Sequence, residues 1–453
     1  MHKRLWDKNT EIDLAVHGFT VGTDPEIDLH LAKWDVLASA AHAQVLFQNG
    51  VLSRAEVEAL LAALKQILAR IAEGDFHIPF ELEDGHTAIE AQLTQQLGAV
   101  GKKIHTGRSR NDQVLVAIRL YLKFQILELL KLLERVIEAH LACYQQHHQI
   151  PMPGYTHLQQ AMPSSVGMWL HAHAEGFAAV YETGLLLLES IDTCPLGVGA
   201  GFGLPLDMHR TLSAQLLGFT RPQRNPIHAQ NTRGLYELRV LNWCKEIAHN
   251  IEKMSWDLIL FSTQEFGFFK LPERLTTGSS IMPQKRNPDV LELLRASASK
   301  VRSSAFELES VISKLPSHYH RDFQYSKEPL VRGVQTTQAS LAILPELLNS
   351  LAPNSDRLTA ACQTPELYAT FEAYRLVKQG MPFRQAYQEA AERYRAGQID
   401  IAGLRDEYLL IAQTQQHEFA DFIGALKPLL ARGAQQSQRF EQIETRVFAL
   451  LEK

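Results

Sequence analysis

The chain has 453 residues, 45% of them hydrophobic and 21% charged; such a length buries a large core without staples, and such a composition excludes a disordered chain. Its 45 Lys and Arg against 50 Asp and Glu leave a net charge of −5, without the basic excess of a dedicated nucleic-acid binder, so no nucleic-acid partner is expected. The four cysteines, Cys143, Cys194, Cys244 and Cys362, form no CxxC pair, which excludes a zinc ribbon or thioredoxin-type motif and suits reduced thiols in the cytoplasm.

The N-terminal MHKRLWDKNTEIDL has no continuous apolar stretch, and no segment reaches the roughly 20 apolar residues of a membrane span. A soluble cytoplasmic protein is expected. Short helices are expected over 28–47 and 53–73, the second opened by Ser53 as N-cap with Glu56 completing a capping box. Residues 79–86 read as a loop before another helix. From Arg110 the periodicity sharpens: Leu115, Ile118, Leu122, Ile126, Leu129, Leu133 and Val136 recur every three or four positions. Phe124, Leu127, Leu130, Leu132 and Ile137 widen this stripe, so the helix is expected to be buried on more than one side.

Further long helices are expected over 165–191, 231–264, 288–315 and 331–351, joined by Gly/Pro-rich connections at 151–163, 194–208, 220–229 and 270–288. Nothing alternates short strands with helices, and 26 glycines with 19 prolines are few for an all-β chain. The tail carries shorter helices, near 382–396 and 400–410. The fold class is therefore mainly all-α. The expected organisation is a mixed N-terminal domain (1–105), a central long-helix bundle with active-site loops (106–352), and a small C-terminal helical domain (353–453).

Four segments carry chemistry. Thr106–Gln113 (TGRSRNDQ) places Ser109, Arg110 and Asn111 at a helix N-terminus, where free N–H groups, the helix dipole and an arginine fork favour a carboxylate. Gly154–Pro163 gathers Thr156, His157 and Gln159, and an imidazole there exchanges protons near neutral pH. Thr277–Asp289 (TGSSIMPQKRNPD) sets Ser279, Lys285 and Asn287 ahead of a helix, a combination suited to a developing oxyanion; Glu292 lies one turn in, on the same face as Asp289. Ser317–Lys327 offers Tyr319, Gln324 and Lys327 to a polar substrate.

Other features fall away. Gly197–Gly203 (GVGAGFG) resembles a dinucleotide fingerprint, but no strand precedes it, and it reads as a turn between helices. His171 and His173 face different ways on a helix, and HExxH is absent. No metal and no cofactor are expected.

GSSIMPQKRNP resembles the signature of the fumarase/aspartase superfamily. Together with TGRSRNDQV and GYTHLQ it is most similar to the argininosuccinate lyase branch, the motifs falling in that branch's order over about residues 20–400. The resemblance implies a three-domain helical fold, assembled by four copies into a twenty-helix core, with active-site loops drawn from three subunits. It implies reversible elimination of argininosuccinate to arginine and fumarate, in arginine biosynthesis and the urea cycle, with no cofactor. By matching positions, Ser279 would take the Cβ proton and Lys285 and Asn287 would steady the aci-carboxylate. His157, supported by Glu292, would serve proton transfer to the leaving nitrogen. Ser109, Asn111, Thr156, Gln159, Tyr319, Gln324 and Lys327 would bind substrate, with Arg110 near a carboxylate and Arg233 at another arginine position of the family.

The chain departs from commoner members in places. LWDKN replaces LWGGRF, QAMP replaces QAQP, and NTRG at 231–234 replaces SDRD. The spacing from Gly203 to Asp207 is short. Asp24 stands where many members carry a substrate-binding serine, and an acid is not expected to bind in the same way. The rival expectations are a sister lyase acting on adenylosuccinate, aspartate or malate, against which Gln284 and the SRNDQ segment argue, and a non-catalytic structural homologue, against which the retained proton-transfer residues argue.

Overall fold

The computed structural model describes residues 13–451; the LWDKN segment lies outside the described residues. As the apolar spacing predicts, the architecture is mainly α. Helix α1 spans Asp24–Gln48 and is followed by shorter helices at Arg54–Ala72 and Gly85–Leu97. Five long elements then form the body: α2 (Arg110–His147), α3 (Val166–Ile191), α4 (Leu235–Phe261), α5 (Asp289–Ile312) and α6 (Lys327–Asn349).

Local chemistry sets the helix starts. The capping box at Ser53 forms as expected: Ser53 N–H donates to Glu56 (2.8 Å) and Glu56 N–H donates back to the Ser53 hydroxyl (3.4 Å). Helix α2 has a second box, with Ser109 as N-cap and Asp112 accepting from the Ser109 N–H at 2.9 Å. The predicted stripe from Leu115 to Val136 is buried, and so are Val116, Ala117, Leu120 and Tyr121 around the helix, because α1, α3 and α6 all pack on α2. Each such aliphatic side chain stabilises the bundle by about 1.5–3 kcal/mol. Where α3 meets α4, Gly184 lies against Trp243 so closely that a Cβ there would come within 2.4 Å of the indole. The indole N–H donates to the Val180 carbonyl at 2.7 Å.

Three segments differ from expectation. Residues 151–163 are not an open connection. They form a two-stranded antiparallel hairpin, β1 (Pro151–Thr156) with β2 (Gln159–Ser165), irregular between Pro153 and Tyr155. The helix expected over 231–264 is broken: a short helix ends at Asn231, Gly234 turns with φ +78°, and α4 begins at Leu235. The break is held by buried Arg119 of α2, which donates to Thr232 Oγ1 (2.9 Å) and to the Thr193 carbonyl (2.8 Å). The helix expected over 400–410 starts at Arg405 and continues to Glu441, through Pro428.

The main core extends from Leu31 to Val447 and takes in Leu426, Ile443 and Val447 from the C-terminal helices; a second small core surrounds Leu367, Phe371 and Leu404. All four cysteines are free and buried. Among the described residues no helix is long and apolar enough to cross a membrane.

Candidate active site

Six of the residues singled out in the sequence meet in one small cavity of about 50 Å³: Arg110, Asn111, Arg233, Tyr319, Gln324 and Lys327. They come from the N-terminus of α2, the break before α4 and the segment leading into α6. Three acids and a histidine not assigned a site role in the sequence, Asp28, Asp84, Asp24 and His86, share the lining, with Arg321.

The charges are arranged in pairs. Lys327 Nζ lies 2.5 Å from Asp28 and 2.9 Å from Asp24, which stand one turn apart on α1. Asp28 also accepts from the Gly85 N–H at 3.1 Å. Burial opposes its ionisation, yet Lys327 and His86 outweigh burial and hold its carboxyl below the usual range. Asp24 behaves oppositely: burial raises its carboxyl, and Lys327 offsets this only in part. Asp84 caps the helix at Gly85 by accepting from Thr87 N–H (2.8 Å) and binds Arg110 with its other oxygen. His86 bonds to buried Asp35. Arg233 donates to the Phe323 carbonyl (3.2 Å) and sits 3.6 Å from Glu237. Gln324 donates to the carbonyls of Thr20 and Val21 at 3.0 and 2.9 Å, which leaves its oxygen for a ligand.

The glycine-rich segment set aside in the sequence has a part here. Asp112, fully buried, accepts from the backbone N–H groups of Gly197 (3.2 Å) and Gly199 (2.9 Å). Burial pushes its carboxyl up to about 6. The Gly199 carbonyl takes the Gln230 amide at 3.2 Å. The adjacent Asn231 donates to Ser317 Oγ (3.2 Å) and accepts from His318 N–H (2.9 Å). One carboxylate thus ties the wall bearing Asn111 to the wall bearing Tyr319.

The remaining residues lie elsewhere. Thr156 and Gln159 are partners across the hairpin, so His157 and Leu158 alone form its turn, with φ +55° and +59°. This is the handedness a two-residue hairpin turn requires, adopted without glycine or asparagine. The tip is exposed, and Leu158 is 68% accessible. Its base is held by Tyr155 against Phe261, Phe266 and Phe268, and by Thr364 donating to Gln160 at 3.0 Å.

The Thr277–Asp289 segment is a loop closed at its neck by reciprocal backbone bonds between Thr277 and Asn287 (3.1 and 2.8 Å). Ser279 Oγ accepts from the backbone N–H groups of Met282 (3.1 Å) and Ile281 (3.3 Å). The Asn287 amide donates to the Gly278 carbonyl at 3.3 Å, and Lys285 is exposed. Glu292 is exposed on the first turn of α5. Among the described residues, no hydrogen bond or ion pair joins the cavity, the hairpin tip and this loop.

Long packed helices hold a small charged pocket at the head of α2 and a Gly-Ser-Ser loop ahead of α5. The lyase family model matches residues 19–303, more than half of the chain, and the chain belongs to that family. The fold agrees with the solved structure of EDDS lyase in complex with formate, with a TM-score of 0.78 at 21% identity over 97% of this chain and 95% of that one. Sequence relatives narrow the class. The chain is 43% identical to an argininosuccinate lyase of Sorangium cellulosum over 86% of its own length and 90% of the relative's. It is 42% identical to one of Xanthomonas oryzae pv. oryzae over 95% and 99%. Within the lyases, the chain is a member of the argininosuccinate lyase family, which are carbon–nitrogen lyases.

Proposed function

We propose that the chain cleaves argininosuccinate reversibly to arginine and fumarate, with Ser279, His157, Lys285 and Glu292 in the proton-transfer machinery. The observation that carries the reading is the convergence of Arg110, Asn111, Tyr319, Gln324 and Lys327, from separate stretches of chain, in one small pocket.

Ser279 Oγ takes the Cβ proton of the succinyl part. The electron pair moves into the neighbouring carboxylate as an aci-carboxylate, steadied by Lys285 and the Asn287 amide. The C–N bond then breaks, its electrons pass to the guanidino nitrogen, and a proton delivered through His157, supported by Glu292, completes arginine. A free serine is a poor base. The two backbone N–H groups directed at Ser279 Oγ favour its charged form, as would Lys285 on a closed loop. Ser109, Arg110, Asn111, Thr156, Gln159, Arg233, Tyr319, Gln324 and Lys327 bind substrate.

This reading needs more than one copy of the chain. The hairpin tip and the Gly-Ser-Ser loop are exposed and end in apolar side chains, Leu158 (68% accessible) and Ile281 (86%). Trp256, Leu293 and Phe306 on α4 and α5 are likewise exposed, an unusual display of large apolar groups suited to helix-on-helix assembly. A cytoplasmic homotetramer with a twenty-helix core, each site taking loops from three subunits, supplies the missing contacts.

The test is fumarate formation from argininosuccinate, followed by ultraviolet absorbance. Wild type turns over; Ser279→Ala loses roughly 10²–10⁴-fold in kcat with the assembly intact. No turnover by the folded wild-type assembly overturns the substrate, and full activity in the variant overturns the base.

A further inference from the structure

The sequence comparison sets Asp24 aside as an acid at a serine position. The structure places it in the lining of the pocket, and the charge pattern there is uneven. Asp24 and Asp28 share the single ammonium of Lys327, so this trio carries one excess negative charge when both acids are ionised. Asp28 is the more buried of the two, with a side chain 4% accessible, and is further held by the Gly85 N–H. Asp24 is 16% accessible, and Lys327 is its one ion-pair partner among the described residues. The excess charge therefore faces the cavity at Asp24.

The other cations of the pocket are compensated differently. Arg110 lies on Asp84, and Arg233 lies beside Glu237. Arg321 donates to the Thr20 carbonyl at 2.6 Å and has no acid partner among the described residues. The lining thus holds an acid in excess at Asp24, which Arg233 also faces at longer range, and a guanidinium without an acid partner at Arg321. A ligand bearing an ammonium and a carboxylate on neighbouring atoms matches that polarity, whereas a plain dicarboxylate does not. Burial holds the Asp24 carboxyl above its ordinary range, so an arriving cation favours its ionised form.

We propose that Asp24 is a specificity-determining residue, which receives the α-ammonium group of the amino-acid end of the substrate and selects zwitterionic over simple carboxylate ligands. The inference rests on the proposed argininosuccinate reaction, because it assigns the arginine end of that substrate to this pocket. The contact is a charge-assisted hydrogen bond, and an acid in place of a neutral hydroxyl makes it dependent on ligand charge.

The experiment runs the reaction in the direction of addition, with fumarate and either arginine or its desamino analogue, which keeps the guanidino and carboxylate groups and lacks the ammonium. Wild type prefers arginine by roughly 10–100-fold in kcat/KM, the range of a charge-assisted bond. Asp24→Asn, which keeps the shape and removes the charge, abolishes most of that preference by losing activity on arginine alone; Asp24→Ser is the second variant. Equal losses on both acceptors would mean that Asp24 serves only to hold Lys327, and the inference falls. Unchanged discrimination overturns it as well. Calorimetric binding of the two acceptors separates the two layers. A wild type that forms no adduct but prefers arginine through Asp24 refutes the reaction and keeps the residue's role. A wild type that forms the adduct with no contribution from Asp24 does the reverse.

Discussion

Around Lys327 the charged groups are held within one chain: two acids on α1, a capping acid on Arg110, and a buried histidine–aspartate pair. Around His157 and Ser279 the chain offers a bare hairpin turn and a loop whose side chains mostly face outward. The pocket is assembled within one chain, whereas the residues proposed for proton transfer stand on two exposed tips. The contrast teaches where mutations act. On the proposed mechanism, changes in the pocket should disturb folding and binding together, whereas changes at the tips should reach the chemistry and leave the fold alone.

The largest expected effect breaks this contrast if it fails. Lys327→Met leaves Asp24 and Asp28 facing each other without the ammonium they share, and removing one member of a buried ion pair costs about 3–5 kcal/mol. Chemical denaturation should show that loss. Lys285→Met on the exposed loop should stay within about 0.5 kcal/mol of wild type while turnover collapses. A loss of no more than about 0.5 kcal/mol in Lys327→Met would mean that the pocket charges do not hold the fold.

A smaller effect comes from Asp112. Its folded carboxyl titrates near 6, above the ordinary 3.8, so between these values the folded chain holds a proton that the unfolded chain has lost. From this group alone, stability rises as the pH falls from about 6 to 4. Measured against Asp112→Asn, which cancels the other groups, wild type should gain up to about 3 kcal/mol across that window. A flat difference would show that the carboxyl is not strained by burial. In the same window protonation weakens its grip on Gly197 and Gly199, so KM for argininosuccinate should rise below pH 6.

The smallest effect is at the hairpin tip. Leu158 sits in left-handed backbone at φ +59°, a conformation that costs a side chain about 1 kcal/mol. Leu158→Gly should raise the unfolding free energy by about 0.5–1 kcal/mol and lower turnover, since the tip loosens. A stabilised variant with full turnover would show that the rigidity of the turn is not used.

The sequence displayed most of the helical frame, since a stripe every three or four residues has one structural solution, and the Ser53 box could be placed to the residue. It concealed the hairpin. Pro151, Pro153, Gly154 and Pro163 are poor strand residues, and a turn of His157 and Leu158 lacks the glycine or asparagine by which such turns are read. It concealed Arg405–Glu441 because polar residues and Pro428 look like an ending. In that helix Phe419, Phe422, Leu426 and Leu430 supply a helical apolar face only once a partner is present. The motif-bearing cations of the pocket were visible; of their acids only Asp24 stood out, as a departure at a serine position, while Asp28 and Asp84 did not. Asp28 resembles an ordinary acid in the first turns of a helix, and the lysine that explains it lies 299 positions away.

The close fit of Trp243 on Gly184 has a mechanical consequence. With an indole pressed on bare backbone and its N–H bonded to the Val180 carbonyl, sliding α3 against α4 would cost both the contact and the hydrogen bond. The hairpin leads directly into α3 at Ser165, and the far end of α4 supplies Phe261 against Tyr155 at the hairpin's base. Gly184 lies roughly 28 Å along α3 from that junction, at about 1.5 Å per residue. The base of the hairpin is thus tied to a contact far along α3, where Gly184 leaves room for the indole.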